Sequence, residues 1–185
     1  GGGPSSFASW QEGLFKERKV EVVVISAPGR ERRVAEAAHT SCEALVADVA
    51  KALQASGLVD DVPYAFFGHS LGSLVALETA RLLDEQMVSG RPRPIHVFAS
   101  GHGPPATAPA AGGKVRRGLL GWGRLHALDD AALMKAVAQF GVMPEALLAD
   151  EGLASAVLPA LRADFAIYET YVPAAERAPL ALPIS

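Results

Sequence analysis

Apolar positions along the 185-residue chain change their period several times, and each change marks an element. Phe7, Trp10, Leu14 and Phe15 recur at helical spacing, which predicts a helix over 4–17 with Pro4 near its first turn. The run 20–26 is rich in β-branched residues and reads as a buried strand, ended by Pro28 and Gly29. Leu45, Val46, Val49 and Leu53 predict a second helix, opened by a capping box at Thr40 and Glu43 and closed by Gly57. Pro63 leads into a second strand over 64–67. Helical spacing resumes from Leu71 to about Gln86, and Pro94 leads into a third strand over 95–100. Strand, helix, strand, helix, strand over 20–100 is the pattern of a parallel, doubly wound α/β sheet, whose ligands bind at the carboxyl ends of the strands.

The pattern then changes character. Residues 103–113 are rich in Pro, Ala and Gly and read as a loop, and 114–124 are basic around Leu119, Leu120 and Trp122. Helical patterns follow at 129–140, 144–149 and 155–171. This predicts one domain over 1–185 with a helical lid over 104–172 lying above the strand ends. The plainer alternative is a helical flank packed on the sheet. Pro183, Ile184 and Ser185 read as the first residues of a fourth strand.

Composition changes this picture little. Half the residues are hydrophobic, a fifth are charged and the net charge is −3, so neither nucleic acid nor an anionic membrane surface is an expected partner. No apolar run reaches the roughly 18 residues of a membrane span. A single cysteine, Cys42, cannot form an internal disulfide, so the expected location is the cytoplasm. The start Gly1, Gly2, Gly3 without Met reads as the interior of something longer.

The chemistry lies in Gly68-His69-Ser70-Leu71-Gly72. This G-x-S-x-G falls between a strand and a helix, the context of a nucleophile elbow. A sharp strand-to-helix turn exposes the Ser70 oxygen and aims the first helical N–H groups, led by that of Leu71, at an oxyanion formed there. Side chains at Gly68 and at Gly72 are both expected to collide with neighbouring backbone.

Other polar residues weigh less. His69 is expected to point away from the nucleophile, His126 and His39 to be structural or exposed, and His102 is the first alternative base. Asp129 and Asp130 read as helix N-terminal residues. Asp164 reads as part of a local ion-pair network with Arg162 and Glu169, and Arg30 as pairing with Glu31 or another acid. Lys114, Arg116, Arg117 and Arg124 read equally as a solvated face or as an attraction for an acidic protein partner or a phosphate group. No metal-ligand cluster and no phosphate or dinucleotide loop is recognisable, so neither a metal nor a cofactor is expected.

Together Pro28-Gly29-Arg30-Glu31, the elbow pentapeptide, and Leu161-Arg162-Ala163-Asp164-Phe165 followed by Glu169-Thr170-Tyr171 resemble the type II thioesterases. These are α/β-hydrolases that accompany polyketide synthases and nonribosomal peptide synthetases. The opening glycines match that family's glycine-rich loop. The resemblance implies hydrolysis of acyl thioesters from the phosphopantetheine arm of acyl or peptidyl carrier proteins. It also implies Ser70 as nucleophile, Leu71 N–H as one oxyanion donor, and a second donor near Gly1 or just upstream. The family's triad order is Ser, Asp, His. It implies an Asp after the strand begun at 183–185 and a His later still, both beyond Ser185. On that reading the chain lacks residues at both ends and is a poor hydrolase alone. The alternatives are a carboxylesterase or acyltransferase on the same fold, or a non-catalytic carrier-protein binding module.

Overall fold

A computed structural model describes residues 3–86, 92–101, 124–139, 141, 150–174 and 178–185. At its centre two strands run parallel, β1 (Tyr64–His69) and β2 (Pro94–Ser100), in a register that sets Phe66 beside Val97 and His69 beside Ser100. The terminal segment pairs with the other edge of β2. Val97 N–H donates to the Pro183 carbonyl at 3.1 Å, and Ser185 N–H donates to the Val97 carbonyl at 3.0 Å. The expected start of a further parallel strand at 183–185 is therefore present.

Two helices cover one face of this sheet. In α2 (Cys42–Ser56) and α3 (Leu71–Glu85) the apolar positions fall on a single side. Leu45, Val46, Val49, Leu74, Ala80 and Leu83 close over Phe66 and Val97 in one core. Val97 is 0% exposed, and burial of such a side chain stabilises by roughly 1.5–3 kcal/mol. Gly57 ends α2 in the left-handed conformation at φ 70°, as the stop signal requires. On the opposite face Phe7 and Trp10 pack edge-on against Phe67, with ring centroids 5.9 and 4.7 Å away. These two residues come from a short 3-10 turn (Pro4–Phe7) and from α1 (Ala8–Arg18), which together occupy the stretch predicted as one helix.

A second core lies further along the chain. Leu133, Ala136 and Val137 of α4 (Asp130–Ala138) meet Leu125 and Leu158. Asp129 caps α4, its carboxylate accepting from Ala132 N–H at 2.7 Å. The long α5 (Glu151–Thr170) gives Leu158 to this core and Ile167 to the first, so one helix of about 30 Å joins the two. Pro159 lies within it, where the ring removes one helical hydrogen bond.

Four expectations need correction. Residues 20–26 carry no strand, and Val20, Val23 and Ile25 are 48, 49 and 42% exposed. β-Branched composition favours a strand only where a ladder partner exists, and among the described residues this segment has none. The cap of α2 is Ser41, whose hydroxyl accepts from Ala44 N–H at 3.2 Å, so the pairing of Thr40 with Glu43 is out of register by one. Helix α5 begins four residues before the expected 155, because Asp150 accepts from Leu153 N–H at 3.0 Å and caps it there. Strand β1 continues two residues past the expected 67, to the edge of the elbow. The predicted loop at 103–113, the basic stretch at 114–117 and the helical pattern at 144–149 lie outside the described residues, as does His102.

The cap assignment gives a direct test. Ser41→Ala should cost about 1 kcal/mol in urea unfolding, whereas Thr40→Ala should change stability by less than about 0.5 kcal/mol. An equal loss in both variants would contradict it.

Candidate active site

Ser70 occupies the one-residue turn between β1 and α3. Its backbone adopts φ 55°, ψ −122°, a region costly for any residue with a Cβ, by roughly 1–3 kcal/mol. The surroundings hold it there. Ser70 N–H donates to the Ser100 carbonyl at 2.8 Å, and Ser73 N–H donates to the Ser70 carbonyl at 3.0 Å. The Ser73 hydroxyl reaches two carbonyls, Gly68 at 2.8 Å and Ser100 at 2.9 Å, tying the ends of both strands to the first turn of α3. Sequence reasoning missed Ser73. Its signal is a hydroxyl on the apolar side of a helix, and that side chain is buried.

The turn is tight on one side only. A Cβ at Gly68 would overlap the Gly72 carbonyl and approach Ser73 N to 2.5 Å, so glycine is required. Among the described residues a Cβ at Gly72 would meet nothing within 4 Å beyond its own helical turn, which corrects the expectation of a collision there. The result is an exposed Ser70 followed by a helix whose Leu71 side chain is buried. Among the described residues no acceptor engages Leu71 N–H, as expected for the first amide of a helix.

Each described histidine has a hydrogen-bond partner other than Ser70. His69 Nδ1 lies 3.0 Å from Ser100 Oγ, and His96 Nε2 lies 2.8 Å from Ser185 Oγ. His39 Nε2 lies 3.3 Å from Asp48 Oδ2. His126 meets the Glu169 carboxylate, which also accepts from Leu125 N–H at 2.8 Å, so His126 belongs to a short turn pinned to α5.

The charged residues of α5 are not a local network. Asp164 pairs with Arg30 across the molecule, Arg162 reaches Asp130 at 2.6 Å and the His126 carbonyl at 2.7 Å, and Glu169 holds His126. Helical spacing suggested neighbours on one helix; each partner comes from a different segment. Arg33 forms a two-point contact with Glu36, at 2.8 and 2.6 Å. That hydrogen bonding raises the guanidinium pKa and lowers that of the carboxyl.

Parallel strands joined by a helix that starts at a strained serine define an α/β-hydrolase fold. The chain belongs to the thioesterase domain family, whose model matches residues 1–184. It is 37% identical over 172 residues to the thioesterase PikA5 of Streptomyces venezuelae, covering 93% of this chain and 54% of PikA5. The solved structure of RedJ, a thioesterase from the prodiginine biosynthetic pathway in Streptomyces coelicolor, superposes with a TM-score of 0.77 at 34% identity, over 99% of this chain and 61% of RedJ. The type II thioesterase BorB from the borrelidin biosynthetic cluster gives 0.75 at 26% identity, over 99% and 66%. The chain spans little more than half the length of the curated relatives it matches, 59% of one and 54% of another. Among the described residues no helix is long and apolar enough to cross a membrane.

Proposed function

We propose that the protein hydrolyses acyl thioesters carried on the phosphopantetheine arm of an acyl or peptidyl carrier protein, editing a polyketide or nonribosomal peptide synthase. Ser70 is the nucleophile in this reading, and the observation that carries it is the exposed serine in a strained turn at the carboxyl end of β1. The Ser70 oxygen attacks the thioester carbonyl carbon while a base takes its proton. Leu71 N–H donates to the oxyanion of the tetrahedral intermediate. The C–S bond then breaks, the pantetheine sulfur leaves as a thiol with that proton, and water releases the acid from the acyl-serine. The family resemblance assigns the base and its orienting acid to a His and an Asp beyond Ser185. The engagement of the four described histidines elsewhere is in keeping with that.

Residues 104–172 serve as the lid, with α4 and α5 as its described helices. The reading places the protein in the cytoplasm, in keeping with a sequence that holds a single cysteine, Cys42, buried at the start of α2. No cofactor or metal enters the reaction.

The test is a comparison of kcat/KM for an acyl-pantetheine thioester and the matching oxygen ester in the full-length protein. The thioester should be turned over at least about tenfold better, a difference of about 1.4 kcal/mol in transition-state stabilisation. Preference for the oxygen ester would favour a carboxylesterase. Transfer to an added acceptor in place of water would favour an acyltransferase.

A further inference from the structure

A turn 26 residues away in sequence grips the segment that leads into the Phe7 and Trp10 packing on β1. The Glu31 carboxylate accepts from Ser5 N–H at 3.1 Å and from the Ser5 hydroxyl at 2.7 Å. A Cβ at Gly3 would overlap the same carboxylate oxygen, so the glycine leaves the space that Glu31 fills. Residues 3–5 lead straight into the turn that places Phe7 and Trp10 on Phe67, three residues before Ser70 on the same strand. The gripped backbone therefore leads into the residues that pack on the strand ending at the elbow.

The turn that carries Glu31 is itself held in an unfavourable shape. Gly29 has φ 81°, and a Cβ there would come within 2.9 Å of Ala38. Glu31 has φ 43°, a left-handed conformation that a glutamate adopts only where its surroundings impose it. Arg33 N–H donates to the Arg30 carbonyl at 2.7 Å, and Gly29 N–H to the Arg33 carbonyl at 2.9 Å, closing the turn. Between the two left-handed residues, Arg30 points to the lid helix and pairs with Asp164. A single three-residue turn thus fixes the entering backbone on one side through Glu31 and α5 on the other through Arg30.

We propose that Glu31 is a positioning residue for the reaction at Ser70: it holds the backbone of residues 3–5, which leads into the packing on the strand ending at the elbow, and through Arg30 the same turn ties that backbone to the lid helix. The proposal rests on the reading of Ser70 as nucleophile. Its logic is geometric. The strand that presents a reacting group must be held to a fraction of an ångström, and displacements of about 1 Å cost up to roughly a hundredfold in rate.

The test compares Glu31→Ala, Glu31→Asp and Glu31→Gln in the full-length protein, by steady-state kinetics on an acyl-pantetheine thioester and by amide hydrogen exchange over residues 3–7. Glu31→Ala should lower kcat by roughly 10–100-fold with KM changed less than about twofold. Exchange over 3–7 should rise while that of β1 and α3 stays unchanged. Glu31→Gln keeps an acceptor oxygen for Ser5 and should restore most of kcat and the protection. Should the alanine variant not fold, Glu31→Asp withdraws the carboxylate by one methylene and should give an intermediate loss of both. Unchanged exchange in the altered proteins would overturn the anchor whether or not the protein is a hydrolase. Raised exchange with kcat unaffected would overturn the positioning role. Activity surviving in Ser70→Ala would count against the nucleophile alone.

Discussion

Ser70→Ala is expected to lower kcat for acyl-pantetheine thioesters by about a millionfold in the full-length protein, if Ser70 is the nucleophile as proposed, the scale seen when a catalytic serine is removed from a triad. The hydroxyl is the only group lost. The Cβ stays, so the strain of φ 55° stays, and the bonds from Ser70 N–H to Ser100 and from Ser73 N–H to Ser70 involve backbone alone. Unfolding midpoints of the two proteins should therefore agree closely. Ser70→Gly separates the two effects. It removes the hydroxyl and the Cβ together, so it should be equally inactive yet more stable than Ser70→Ala, by roughly 1 kcal/mol or more. A glycine variant no more stable than the alanine variant would mean that the turn is not strained as described. Activity above about one part in a hundred in either variant would remove Ser70 from the nucleophile's role.

Gly68→Ala should destabilise the protein by about 3 kcal/mol or more, beyond ordinary overpacking, because the atoms its Cβ would meet are backbone of the α3 first turn. They cannot withdraw without moving the turn that presents Ser70. Gly72→Ala should do the reverse. Its Cβ meets none of the described residues outside its own helical turn, and alanine in a helix is favoured over glycine by up to about 1 kcal/mol. Denaturant unfolding of the two variants reads this directly. Similar losses at both positions would restore the two-sided clash expected from the motif and contradict the one-sided packing seen here.

That pair shows what the chain discloses on inspection and what it hides. The strand–Ser–helix context was legible because Pro63 and Pro94 mark strand starts, because α3 repeats its apolar residues at helical spacing, and because few other contexts put G-x-S-x-G in such a place. The roles of the two glycines were not, since a motif names residue types and only the folded turn shows which of them faces a neighbouring carbonyl. Around α2 the local signals were legible to within a residue: Gly57 as a stop was correct, while Thr40 and Ser41 both carry hydroxyls and only the backbone decides which one caps. The run 20–26 failed for a different reason. Its composition is that of a strand, but ladder partners are supplied by tertiary structure. Ion pairs failed in the same way. Arg162, Asp164 and Glu169 sit close enough on α5 to suggest each other, yet their partners are Asp130, Arg30 and His126. The grip of Glu31 on Ser5 depends on a left-handed backbone at a glutamate, which no propensity favours.

The most direct measurement of the central claim is identification of the acylated residue. The full-length protein is mixed rapidly with an acyl-pantetheine thioester, quenched in acid and digested, and the acyl adduct is located by mass spectrometry; a fluorophosphonate provides a stable counterpart. One acyl adduct is expected, on the peptide carrying Ser70, absent from Ser70→Ala and accumulating at least as fast as turnover. An adduct on another residue, or turnover that persists in Ser70→Ala, would contradict it.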